Sequence, residues 1–535
     1  LYRLVGSEMC IRDRNSIEQY EHVIKTLYKY EDSRLTEVQK NTKKIAIFDA
    51  ENNLKQVKEF PHHDYPLNQI GGIHLNTIEF LSDMHPIRNE SEAEDFISRA
   101  NLIKKVYEGV LADLEEQASA GIFPPEFVYD HVIDQLSEFI SYDYDEHPLY
   151  TQFLRKVKEL NVGEEKEKIF EDQIKKAIDE SVTPGFKILK DFMMRTKQYA
   201  NKNHGIWSQP NGDEYYKLRI RSYTTTDYSP EEIHQMGLQE VDRISSRMRE
   251  ILTELGYDKN KTVGELMNEL NENPEFLYED TPDRKEIVVN DYTEMMHEAI
   301  KIMEDYFHTM PKSEVIVKAV PEYSEQTAAG GYYQPPAIDG SRPGVFYVNL
   351  YDIKQTPKYS MRTLTYHEAT PGHHHQIAHS LENEELTLYR RFGYFTSAFS
   401  EGWALYAERL ALEVGLAENP YDELGILQAE ILRAVRLVVD TGMHYKRWTR
   451  EEAMEYMKAN TGMSDTEVRV EIERYIVWPG QALSYKVGMI KMLELRQKAM
   501  DELGDGFNIK DFHSAVLDHG LSLIHISEPT RRYRI

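Results

Sequence analysis

Residues 366–376 read YHEATPGHHHQ. A His-Glu pair followed closely by more histidines is the residue set with which helices hold a divalent metal and set a carboxylate beside it. In the common arrangement two His lie at i and i+4 on one helical face, and the Glu between them works as general base. Here position i+4 from His367 is Pro371. It removes the amide that would bond the His367 carbonyl, so a kink or bulge is expected. On an unbroken helix at 100° per residue, His374 returns to the face of His367 and His373 points away. If the helix loops out by two residues, Gly372-His373 takes the ligand place. Because Pro371 breaks the regular helix, His373 is the preferred second ligand and His374 its alternate; His375 is assigned to solvent or to a supporting position. Glu401, in Ser400-Glu401-Gly402-Trp403-Ala404, begins a further helix 28 residues past His373. Glu401 and Glu408 share a face. Glu401 is the better third ligand, since Gly402 and Ala404 beside it allow close helix packing.

Such a ligand set points to zinc, with three protein ligands and a water whose pKa falls to ~7. Glu368 is the expected base for that water. Donors for the oxyanion of a tetrahedral intermediate are sought downstream. His444 follows Asp440 by four residues, and Tyr485 lies in a Tyr-x-x-Gly segment. Substrate contacts are expected from Tyr332, Tyr333 and Arg342, in a Gly/Pro/Tyr-rich stretch ahead of a strand that would pair with an extended peptide. Arg342 is matched to a peptide carboxylate, or else to Asp339 as a loop brace. Arg433, Arg436 and Lys486 are further cations that the sequence does not rank.

The elements that must position these groups are mostly helices. Ser229-Pro230-Glu231-Glu232 combines an N-cap Ser, a first-turn Pro and a capping-box Glu. Val241, Ile244, Met248, Ile251, Leu252 and Leu255 then recur at helical spacing, and Thr449–Glu452 opens another helix in the same way. From Asn15 to about Ala200 helices follow one another, punctuated at 121–125 and near Pro184-Gly185. Strand-like sequence is confined to Glu314–Val320 and Val345–Leu350, with Ala328–Gly344 between them expected as a loop. The expectation is a mainly α fold with one small β-sheet next to the zinc helix. Residues 15–215 form an N-terminal helical scaffold, and 216–520 the catalytic region.

Composition bounds the rest. The chain has 535 residues, a formal net charge of -28, 41% hydrophobic residues and one cysteine. The acidic excess excludes nucleic acid as a natural partner. No apolar run reaches the ~18 residues of a membrane-spanning helix. Segments 1–14 and 521–535 are basic and resemble translated sequencing-adapter read-through, so they are set apart from fold reasoning. Without them the body carries 57 basic against 88 acidic residues, net -31, and no cysteine. A native start is then missing, so compartment is open: cytoplasmic, or exported if a signal peptide was lost. Oligomeric state is not indicated.

HEATPGHHHQ, SEGWALYAERL, VVDTGMH and WPGQALSYKVG, in this order, resemble the bacterial domain-of-unknown-function 885 family, grouped by its motif with Glu-ligand zinc peptidases. TTTDYSPEEIHQMG and GYYQPPAIDGSRPG extend the resemblance over most of 15–520. It implies a helical oligopeptidase- or carboxypeptidase-like fold with a deep substrate channel. The leading expectation is a zinc metallopeptidase acting on peptides or oligopeptides. The alternatives are a zinc amidohydrolase for a non-peptide amide and a non-catalytic metal- or peptide-binding protein.

Overall fold

The structure is a computed structural model that describes residues 9–321, 325 and 328–518. The adapter-like segments fall mostly outside these residues. The chain forms two compact units. Among the described residues, one contains Asn53–Tyr215 and the segment up to Val23; the other contains Ile24–Asn52 and the residues from Tyr216 to Asp518.

The first unit is helical, and its helices show why. In Ile103–Ser119 the buried residues Ile103, Val106, Tyr107, Val110 and Leu114 recur every three to four positions, one apolar stripe on a charged helix. The break expected near Pro184 does not occur. Pro184 lies in the first turn of Thr183–Thr196, and a π-helical turn at Ile178–Val182 leads directly into it.

The second unit carries the motifs. Its helix starts are set by reciprocal capping: Glu232 N donates to Ser229 Oγ (3.2 Å) while Ser229 N donates to Glu232 Oε2 (2.8 Å). Thr449 and Glu452 repeat the arrangement. The sheet has three strands, β1 (Val315–Ala319), β2 (Gly331–Gln334) and β3 (Gly344–Val348), in the order β1-β3-β2. β1 runs parallel to β3, and β2 antiparallel to it. β2 replaces part of the expected loop. Its four residues alternate between half-buried and exposed, and Tyr332 stacks on Tyr347 of β3 at 4.9 Å between ring centroids. β3 is therefore the central strand, with both edges taken. The expected pairing of that strand with a substrate therefore finds no free edge on β3.

One face of the sheet packs on helices Arg284–Met303 and Lys358–Glu368, through Val288, Tyr292, Met296, Val317, Phe346 and Met361. A second core gathers Ile45, Phe48, Tyr366, Trp403, Tyr406, Met492 and Phe512. Helix Ser397–Glu413 crosses helix Leu483–Leu503 at Gly402 and Gly488, where a Cβ on either glycine would run into the other helix's backbone. Among the described residues no helix is long and apolar enough to cross a membrane.

Candidate metal centre

Helix Lys358–Glu368 ends at Glu368, and a new helix starts at His373. The turn between them is fixed at two points. Trp403 Nε1 donates to the Pro371 carbonyl at 2.8 Å. Gly372 lies so close to the carbonyls of Tyr366 and His367 that a Cβ there has no room. The interruption expected from Pro371 thus carries His373 back onto His367, with ring centroids 4.7 Å apart and planes near perpendicular.

Three ligand atoms converge. His367, His373 and Glu401 each offer one atom, and all lie within 4.8 Å of one another. Glu401 Oε2 is 3.4 Å from His367 Nε2 and 3.4 Å from His373 Nε2. A charge-assisted hydrogen bond would be shorter, about 2.7–2.9 Å. Two ligands each ~2.05 Å from a tetrahedral ion lie about 3.3 Å apart, which matches these separations. The far nitrogen of His367, Nδ1, is 2.7 Å from Glu408 Oε1, and Thr363 Oγ1 donates to Glu408 Oε2 at 2.9 Å. Glu408 thereby holds the proton on Nδ1 and leaves the Nε2 lone pair for an ion. The donor set and its support fit a divalent cation.

The electrostatics ask for one as well. Burial opposes charge on His367, but its contacts with Glu401 and Glu408 outweigh this and hold the imidazolium up to a pKa of about 10. Burial also opposes charge on Glu401, yet the two imidazoles against it, His373 first, keep its carboxyl far below the usual range. Glu368 is buried, and burial together with Glu401 pushes its carboxyl up against the pull of His367, His373 and Arg433. Glu401 and Glu408 both face His367, and a cation between the imidazoles and Glu401 would take over the role of the proton held there.

The remaining sequence candidates scatter. His374 is engaged on both nitrogens: Tyr333 OH lies 2.9 Å from Nδ1, and Nε2 lies 3.1 Å from the Ser313 carbonyl. Its imidazole, pushed down to about 4 by burial, is turned away from the three ligand atoms. His375 is fully buried against Phe307, at 4.2 Å between centroids, instead of reaching solvent or supporting the ligands. Tyr485 is half-buried under the Arg436 guanidinium (4.5 Å); burial and then the Glu401 charge raise its pKa. His444 is a core residue, with Nε2 3.1 Å from the Tyr475 carbonyl and its ring 5.1 Å from that of Tyr216. It stands three turns, about 16 Å of helix, beyond Arg433. Asp440 does not orient it: that carboxylate accepts from Tyr216 OH (2.5 Å) and from Gly480 N (3.2 Å). Arg342 is exposed, and donates to Gln334 Oε1 (3.3 Å) and the Pro343 carbonyl (3.2 Å). Asp339 is instead held by Ser341. The orienting role of Glu408 was the main feature not assigned from sequence, although its seven-residue spacing from Glu401 is the signal for it.

The comparisons agree with this architecture. The family model for bacterial proteins of unknown function, DUF885, matches residues 12–522. A solved structure described as a "putative lipoprotein" from Colwellia psychrerythraea is 36% identical, with 96% of this chain and 90% of that chain covered and a TM-score of 0.90. A second, described as a "putative lipoprotein of unknown function" from Shewanella oneidensis, has a TM-score of 0.76 over 96% and 91% of the two chains. At 16% identity it speaks for the fold alone. No curated protein matches the sequence. With the family model running over nearly its whole length, this chain belongs to the DUF885 family of bacterial proteins of unknown function.

Proposed function

We propose that the protein is a zinc-dependent hydrolase of peptide bonds in peptides or oligopeptides. One observation carries this reading: two imidazole nitrogens stand at tetrahedral-edge distance from one carboxylate oxygen, with the buried Glu368 directly after the first ligand. His367, His373 and Glu401 would hold the metal. Zinc bound there would supply a Lewis acid and a water of lowered pKa, ~7.

The chain's own groups do the rest. Glu368, its carboxyl raised by burial, takes a proton from the attacking water and returns it to the leaving amine. Tyr485 is the donor proposed for the developing oxyanion, being close enough to Glu401 to feel its charge. The outer edge of β2, with Tyr332 and Tyr333, offers backbone groups to an extended peptide, and Arg342 stands exposed beyond it. His444 is left to the core.

The test is metal content and a peptide screen on the full chain. We expect one zinc per chain, and cleavage that Glu368→Gln lowers about 10²–10⁴-fold. Unchanged cleavage in Glu368→Gln, or a purified protein that binds no metal, would overturn the reading. Hydrolysis of non-peptide amides alone would move it to an amidohydrolase.

A further inference from the structure

All three strands come together at one residue of helix His373–Glu382, His374. Its Nε2 is 3.1 Å from the carbonyl of Ser313, just ahead of β1. A carbonyl only accepts, so Nε2 donates to it. In the neutral ring Nδ1 then accepts, and the donor is Tyr333 OH of β2 at 2.9 Å. Gly344, the first residue of β3, leaves room for this bond: a Cβ there would lie 2.8 Å from the Tyr333 hydroxyl and 2.9 Å from His374 Nδ1. Two residues before Tyr333, on the same face of β2, Gly331 lies against the Leu364 side chain. Leu364 is one turn before Glu368 on helix Lys358–Glu368. β2 is thus fixed by direct contact to both helices that carry the imidazole ligands.

The register shows which backbone groups of β2 stay open. The Val348 carbonyl accepts from Val320 N, and Gly344 N donates to the Glu314 carbonyl, so the even-numbered residues of β3 turn toward β1. Asn349 N donates to the Gly330 carbonyl, so the odd-numbered ones turn toward β2. Tyr332 and Gln334, opposite Tyr347 and Val345, therefore bond β3 with their N–H and C=O groups. Gly331 and Tyr333, opposite Val348 and Phe346, present theirs to the outer edge. Among the described residues these groups have no backbone partner there.

We propose that Tyr333 registers an extended peptide against the metal centre: its backbone N–H and C=O, with those of Gly331, pair alternate residues of the peptide, while its hydroxyl pins that edge to the helix of His373 through His374. The inference rests on the hydrolase reading and narrows its substrates to oligopeptides. At least three successive residues must run extended, two that bond the edge and one between them. A non-peptide amide cannot occupy both positions. The hydroxyl acts on position and not on the reacting bond, so its loss should fall on KM and not on kcat.

Hydrogen exchange of backbone amides, resolved by residue, reads the register without turnover. In the full-length, zinc-loaded Glu368→Gln protein we expect Tyr332 and Gln334 amides to be protected and those of Gly331 and Tyr333 to exchange freely. Millimolar hexa-alanine should slow Gly331 and Tyr333 by about threefold or more, and the same peptide with every amide N-methylated should not. Adding Tyr333→Phe, or separately Gly344→Ala, should remove that slowing while zinc content stays at the wild-type level. The two variants break one bond from opposite sides, so a misfolded one does not decide the matter. For peptides that the wild type cleaves, Tyr333→Phe should raise KM by about tenfold and hold kcat. Several results overturn the proposal: Gly331 and Tyr333 amides already protected without peptide, no slowing by hexa-alanine, equal slowing by its N-methylated form, or slowing that survives Tyr333→Phe. Loss of zinc in Tyr333→Phe does so as well, since the hydroxyl would then hold the metal site itself. Wild-type hydrolysis without edge protection sinks this inference alone; edge protection without hydrolysis sinks the hydrolase reading alone.

Discussion

His367 has two ring nitrogens, and the structure gives each a different task. Nδ1 is tied to Glu408, which leaves Nε2 toward Glu401 and His373. Replacing Glu408 with Gln keeps an acceptor but removes the charge that strengthens the ligand. Metal affinity should fall about 10–100-fold, read by competition with a chromogenic chelator; an unchanged affinity would show that Glu408 merely packs. The neighbouring histidines divide just as sharply. His373→Ala should abolish stoichiometric metal binding, while His374→Ala should retain it, because both His374 nitrogens already have partners. Metal analysis of the two variants decides the point, and the reverse result would exchange the ligands. The sequence brought this choice down to two residues and no further. Pro371 announces that the helix breaks, but how many residues loop out depends on Gly372 against the His367 carbonyl and on Trp403 reaching the Pro371 carbonyl. Both are contacts made only in the fold.

Whole elements hold these residues in place, and two of their joints can be tested. The crossing at Gly402 and Gly488 sets where Glu401 sits. Gly488→Ala would press a methyl group into the Ala398 carbonyl and push the helices apart. We expect a loss of ~1–3 kcal/mol in stability, together with weaker metal binding; a denaturation midpoint equal to wild type would refute the tight crossing. The second joint is Asp440, whose carboxyl is pushed up to about 7 by burial, against the hydrogen bonds from Tyr216 and Gly480. An unfolded aspartate loses its proton near 4. Between about pH 4 and 7 the native state therefore holds one more proton than the unfolded chain. The contribution is complete below pH 4 and is lost as pH rises toward 7, by up to ~1.4 kcal/mol per unit. Urea midpoints of Asp440→Asn should lose this slope relative to wild type, and parallel profiles would reject it. Helices of this kind were legible in advance because capping boxes and apolar spacing are local, as at Ser229 and Thr449. β2 was not, since four residues between Gly and Pro acquire strand character only from pairing with β3.

At the scale of the molecule, the mainly helical architecture and the motif order could be read from sequence, because each motif is short and its chemistry local. Which acid neutralises which buried cation could not, because that is decided by partners far apart in the chain, such as Glu240 and Lys486. The metal itself supplies the last prediction. The three proposed ligands lie on helices Lys358–Glu368, His373–Glu382 and Ser397–Glu413, so an ion would cross-link segments that separate on unfolding. A cation that binds the native state and not the unfolded chain stabilises by mass action, about 4 kcal/mol when its free concentration is a thousand times its dissociation constant. For a cooperative unit of several hundred residues, with its large unfolding entropy, this is a rise of roughly 5 °C in Tm. Scanning calorimetry of zinc-loaded and EDTA-stripped protein should show that rise, and His367→Ala should abolish it. The apo protein keeps part of the same stabilisation by holding a proton on His367, whose pKa of about 10 lies above that of an unfolded histidine. That contribution is complete below about pH 6.5 and disappears as pH climbs through 10. The gap between loaded and stripped protein should therefore be wider at pH 8.5 than at pH 6. A gap independent of pH would mean that metal and proton do not compete for one site.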